Sequence, residues 1–208
     1  ATCSSGTSGS SATSRWSGID PSVEGLPSPT ELKRRAASGR GLTRPEIAVL
    51  LAQSKNLVCH ELLESDVPDS ELFSARLRDY FPAVIADVAA PQIAAHPLRR
   101  EIIATVVADE LINRIGPGTI YRLQERLGAT TAEVAMAYGT VREVLGLEAV
   151  WAEALVREVG EAQRIQELLE IRELVEHLTS WLLRRRREAD RDDTLALSVR
   201  HLIDAGRS

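Results

Sequence analysis

The sequence predicts an all-α domain, a multi-helix bundle with a central apolar helix and a long C-terminal helix. Three observations predict it. First, hydroxyl residues stand three positions before a glutamate at the head of apolar runs: Ser28 with Glu31, Thr43 with Glu46 and Thr130 with Glu133. That spacing lets each side chain satisfy a free backbone N–H at a helix start. Second, apolar residues recur at spacings of three and four, and no run alternates as a strand would. Third, 44% of the residues are hydrophobic but only 4% are aromatic. The core must therefore be mostly Leu, Ile, Val and Ala, a mix that favours helix on helix.

The elements follow in order. Residues 1–27 are rich in Ser, Gly and Thr and read as a flexible tail or linker. Residues 28–208 read as the helical domain. Ser28 opens the first helix, with Pro29 at its first position and Gly39 as its stop. Thr43 opens the second, whose positions Ile47, Leu50, Leu51, Val58, Leu62 and Leu63 share a face. A turn at Pro68 leads to a short amphipathic helix marked by Leu72, Phe73, Leu77, Tyr80 and Phe81. Another short helix follows, broken by Pro91 and Pro97.

The most apolar helix is predicted from Pro97 to Gly116. Apolar or small residues surround it, including Leu98, Ile103, Val107, Leu111 and Ile115, so it should be central and buried. Short helices are predicted over 121–127 and 148–159, with a capped one from Thr130 to Gly146 between them. The long helix is predicted over 162–187, and a separate final one over 193–203.

The net charge is −5, from 25 basic and 30 acidic residues. Such a field disfavours nucleic acid as a partner. Cys3 and Cys59 lie far apart and read as free thiols of a reducing compartment, which points to the cytoplasm. No apolar run approaches the roughly 18 residues of a membrane helix, so no membrane partner is expected. The opening residues lack the basic start and apolar stretch of a signal peptide.

Candidate residues are few. Glu101, Thr105, Asp109 and Asn113 are spaced by four and form a polar row along the most apolar helix. They form a buried polar network or small-molecule contact, with Asp109 as its charge, or else a structural hydrogen-bonded seam or the helix's one solvated edge. On the long helix, Leu168, Ile171, Val175, Leu178 and Leu182 make a stripe that Leu174 and Trp181 widen. Leu174 and Trp181 are the candidate interface. Arg184–Arg187 is the densest cationic run, but Glu188, Asp190, Asp192 and Asp193 follow and offset it. Position near the end of a long helix is its plain explanation. No two histidines stand at ligand spacing, and no glycine-rich phosphate loop or nucleophile elbow appears. No catalytic, metal-binding or cofactor-binding residue is therefore assigned.

One resemblance adds to this. The pieces REIIAT, INRIG, RLQE and AYGTVREV, in that order, resemble the C-terminal helical region of the large bacterial NAD-specific glutamate dehydrogenases. GRGLTRPEIAVLLAQS upstream and TSWLLRRRRE downstream resemble the same family. The likeness extends over Leu26 to Gly146, about 120 residues, then loosens, and nothing beyond Asp190 aligns. It implies a structural, oligomerisation or regulatory domain of a parent enzyme that uses NAD to deaminate glutamate to 2-oxoglutarate. It implies no cofactor in this chain. Its partners would be the catalytic portion of the parent chain and a second subunit. Only two lysines exist, Lys33 and Lys55, neither in a glycine-rich context like that of a dehydrogenase active site. The alternative reading is a stand-alone helical module for protein–protein interaction.

Overall fold

The computed structural model describes residues 25–205, with side chains through Arg191 apart from Asp79. The tail expected over residues 1–27, Cys3 included, thus lies almost wholly outside the described residues. Among those described there are helices and turns and no strand. The helices are α1 (Pro29–Ala37), α2 (Arg44–Leu63), α3 (Glu71–Asp79), α4 (Ala83–Val88), α5 (Ala90–Ala94), α6 (Arg99–Glu110), α7 (Pro117–Leu127), α8 (Thr131–Leu145), α9 (Leu147–Val156) and α10 (Glu161–Ala205). A 3₁₀ turn, Val67–Asp69, follows α2, and a π-helical turn, Leu111–Ile115, continues α6.

Two of the three expected capping boxes form. Thr43 with Glu46 and Thr130 with Glu133 exchange both hydrogen bonds. At α1, Ser28 accepts from the Glu31 N–H at 3.3 Å, but Glu31 does not return the bond. Arg34 and Arg35, three and four residues on, each hold its carboxylate at 2.7 Å. Two guanidiniums outcompete one backbone N–H and pull the Glu31 pKa down to about 2.

α6 lies at the centre, packed against α2, α3 and the 3₁₀ turn. Ile103, Ala104, Val107, Ala108 and Leu111 are fully buried. The helix starts at Arg99 rather than Pro97, and Leu98 is its exposed cap. At its far end the Gly116 N–H donates to the Leu111 carbonyl, one residue wider than an α-turn. Gly116 has φ 89°, so a side chain there would be strained, and its Cβ would displace the Arg172 guanidinium. Pro117 then starts α7 at once, four residues earlier than the sequence predicts, with Gly118 inside its first turn. Pro91 likewise sits in the first turn of α5 and opens a helix instead of breaking one.

α8 is the second inner helix. It packs mainly on α10, and also on α2, α3, α7 and α9. Gly139 allows α3 to cross it: a Cβ there would stand 2.6 Å from the Phe73 ring. The two C-terminal helices expected from the sequence are one continuous helix, α10, of 45 residues. Neither Gly nor Pro interrupts residues 188–203, and ion pairs such as Arg185–Glu188 at 3.3 Å support the joint. At 1.5 Å per residue α10 is about 67 Å long.

Candidate functional site

The most distinctive chemistry is a buried charge cluster where four helices meet. Arg76 of α3 sits between Phe73 and Leu77 on the buried face, with 6% of its surface exposed. Glu110 ends α6, Arg142 lies on α8 and Glu148 on the first turn of α9. Arg76 pairs with Glu110 and reaches Glu148 at 3.0 Å. Arg142 reaches Glu148 at 2.7 Å, Glu143 at 2.7 Å and Glu110 at 3.7 Å. Partial burial works against the Glu148 charge, but the two guanidiniums outweigh it and hold its carboxyl below the ordinary range. Tyr138, one turn before Arg142, has its phenol pushed up by burial despite the cations nearby. Each buried cation faces carboxylates, so the cluster is a clamp that neutralises itself.

The candidate polar row borders this cluster. Thr105 donates back to the Glu101 carbonyl at 2.7 Å and lies 3.7 Å from Cys59 Sγ. Asp109 is half-exposed and accepts from Lys55 of α2 at 2.5 Å. Asn113 is exposed. Thr105, Asp109 and Asn113 thus line one open groove of about 640 Å³ together with Arg76, Glu110 and Glu148. Along this edge the named bonds join α2 to α6.

A second polar lock fixes α10. The buried Thr119 hydroxyl donates to Glu176 at 3.0 Å, and Arg122 holds the same carboxylate at 2.8 Å. Partial burial opposes the Glu176 charge, but Arg122 and Thr119 keep its carboxyl low. Arg100 donates to the carbonyls of Leu63 and Ser65 at 3.0 and 3.1 Å, closing the end of α2. Among the described residues, no three His, Cys, Asp or Glu side chains gather as metal ligands would.

The arginine run on α10 is dispersed by the helix. Arg187 turns inward and donates to the Gly128 carbonyl at 2.9 Å. Arg186 lines an acidic groove with Glu64, Asp66 and Asp69. Arg185 lies over the Trp181 ring, 5.8 Å from its centre. Arg184 faces α7 beside Arg122 and Arg126. Four consecutive residues point four ways, so the run forms no single cationic face.

The apolar stripe of α10 also sits differently from its sequence centre. Val175, Thr179 and Leu183 are the buried line, with Leu168, Ile171, Leu178 and Leu182 partly covered beside it. Leu174 and Trp181, the candidate interface, remain 49% and 47% exposed.

The sequence reading missed Arg76, Glu110, Arg142 and Glu148. A signal was present for the first three. Each stands three or four residues from a buried apolar residue of its own helix: Phe73, Val107 and Tyr138. A charge in the apolar phase needs a buried partner. No such signal marks Glu148, which is itself largely exposed.

Residues 39–200 match the profile of the family described as "Glutamate dehydrogenase, C-terminal". The chain belongs to that family. The match reaches well past Asp190 and includes the stretch from 147 to 178 where the resemblance is loose. Among curated relatives of this glutamate dehydrogenase C-terminal region, the NAD-specific glutamate dehydrogenase of Pseudomonas aeruginosa is 36% identical over 171 residues, 81% of this chain and 11% of the relative. That of Halomonas elongata is 33% identical, over 85% of this chain and 11% of the relative. That of Mycobacterium tuberculosis is 32% identical, over 80% of this chain and 10% of the relative. The chain therefore spans about a tenth of the length of the relatives it matches. Among its described residues no helix is long and apolar enough to cross a membrane.

Proposed function

We propose that the helical domain, from residue 28 onward, is an architectural part of a large NAD-dependent glutamate dehydrogenase. The parent enzyme would oxidise glutamate to 2-oxoglutarate and ammonia in the cytoplasm, holding NAD in a portion outside this chain. The domain would pack against that catalytic portion and against another subunit. The observation that carries this reading is how the buried charges are used. The enclosed Arg76, Glu110 and Arg142, with the more exposed Glu148 at their edge, neutralise one another across α3, α6, α8 and α9. A catalytic site instead keeps groups directed at a substrate. The exposed Leu174 and Trp181 supply the apolar surface that such packing needs.

Two measurements test it. The chain alone, mixed with glutamate and NAD, is expected to produce no reduced nicotinamide above a blank. Turnover that survives stringent repurification would sink the architectural reading. In the intact parent enzyme, deleting the segment equivalent to residues 39–200 is expected to change the sedimentation coefficient beyond the mass removed. A deleted enzyme that assembles and works as the whole one does would also overturn it.

A further inference from the structure

We propose that the outer flank of α10 binds a second copy of this chain, antiparallel, about a twofold axis passing between His177 and Leu178. The inference rests on the packing role proposed above and names the occupant of one surface. Four residues carry it. Leu174 and Trp181 are seven positions apart, two turns of helix, so they lie along one line. Glu170 stands four residues before Leu174, and Arg185 four residues after Trp181. All four are exposed, and they sit roughly a quarter-turn or more from the buried Val175–Thr179–Leu183 line that faces the body of the domain.

The spacing of that line, four then seven then four, is a palindrome with opposite charges at its ends. A twofold contact presents the same patch on both partners, so residue i meets j and j meets i. Turned end for end on itself, this line sets each Leu174 against the other copy's Trp181. It sets each Glu170 against the other's Arg185. Arg185 already lies over the Trp181 ring, which keeps its guanidinium on this flank. Glu170 is held on the same face by Gln166, whose amide donates to it at 3.0 Å. The half-buried Leu178 lies beside the axis. Glu167 and Glu188 also come opposite each other in this register. Each has a cation in its own copy, Arg157 at 3.4 Å and Arg185 at 3.3 Å.

A helix line of this length covers a small area, so the pair formed by this chain alone should be weak, with a dissociation constant on the order of 10 μM. Sedimentation equilibrium of the 208-residue chain up to about 100 μM is expected to show a monomer–dimer equilibrium. Trp181→Glu is expected to leave a monomer with the helical content of the parent. The decisive test is charge exchange. Glu170→Arg and Arg185→Glu should each weaken the homodimer roughly ten-fold. Mixing the two variants should restore association, because both cross-pairs are then attractive. The double variant should restore it as well. These exposed changes leave the core intact, so the test holds even if Trp181→Glu fails to fold.

A wild-type chain that stays monomeric at that concentration overturns the inference, and so does a mixture that associates no better than either variant alone. If the chain is monomeric but Trp181→Glu disrupts assembly of the intact parent enzyme, the flank belongs to another part of that enzyme. That result overturns the second-copy proposal and leaves the architectural function standing.

Discussion

α6 and α10 are both rich in apolar residues, yet one is a core and the other is a wall. α6 is surrounded: α2, α3 and the 3₁₀ turn cover it, and four of its positions, Ile103, Ala104, Val107 and Ala108, are fully buried. α10 is covered on one side only, by α8 and α9 with α7 and the π turn. Its Val175 is buried while the adjacent Leu174 is 49% exposed. The charges divide the same way. At the end of α6, Glu110 is enclosed and needs Arg76 and Arg142. On α10, Arg184 and Arg185 stand in solvent. The comparison teaches that apolar content identifies a helix worth burying, and the number of neighbours decides how much of it is buried.

The largest effect should come from breaking the inner side of that comparison. Val107 is completely buried in α6. Val107→Asp would place a carboxylate among apolar neighbours without a partner, at a cost above about 3 kcal/mol. Loss of cooperative melting is expected, and a melting temperature within a few degrees of the parent would mean that α6 is not central. Next is the clamp. Arg142→Ala leaves Glu110 enclosed with one of its two cations gone, which should cost about 3 kcal/mol. Urea denaturation would measure it, and a loss smaller than a surface ion pair gives would show that the cluster is solvated.

Gly139→Ala should destabilise by about 1–2 kcal/mol, although replacing a mid-helix glycine normally stabilises, because the new methyl meets Phe73 and Leu72. A higher melting temperature would show that α3 yields easily. A pH series adds a smaller effect. The folded carboxyls of Glu133, Glu148 and Glu176 are all held below the ordinary value. Groups with a lowered folded pKa stabilise fully above their unfolded pKa of about 4.3, and that contribution fades as pH falls through the folded values. The melting temperature should therefore be nearly flat from neutral pH to about 5 and fall below about 4. A drop centred near pH 6 would show that these carboxyls do not set the acid limit of stability. The smallest effect belongs to the outer wall. Trp181→Glu should change the unfolding free energy of the monomer by less than about 0.5 kcal/mol. A severe loss in differential scanning calorimetry would place Trp181 in the core.

Legibility in the sequence followed the range of the interactions. Helix starts at Thr43 and Thr130 were readable because the capping residue and its glutamate are three positions apart, and both boxes form. Even there a local rival altered the outcome at Ser28, where Arg34 and Arg35 took Glu31. The break placed between residues 187 and 193 failed because a dense run of charge was read as a helix end. Arg and Glu are good helix formers, and on the continuous helix Arg184, Arg185 and Glu188 face solvent. The candidate row Thr105, Asp109 and Asn113 was visible as a spacing. Its partners Lys55 and Cys59 come from α2, and no spacing along one helix reveals them.

The sequence alone thus determined the helical class, most helix boundaries, the central place of α6 and the family, because periodicity, caps and residue order are local properties. Only the tertiary structure decided which flank of α10 meets the body. Which charges on four separate helices meet at Arg76, Glu110, Arg142 and Glu148 was also settled there. Both depend on how helices distant in sequence are stacked, and burial free energy is set by that stacking and not by the residue itself.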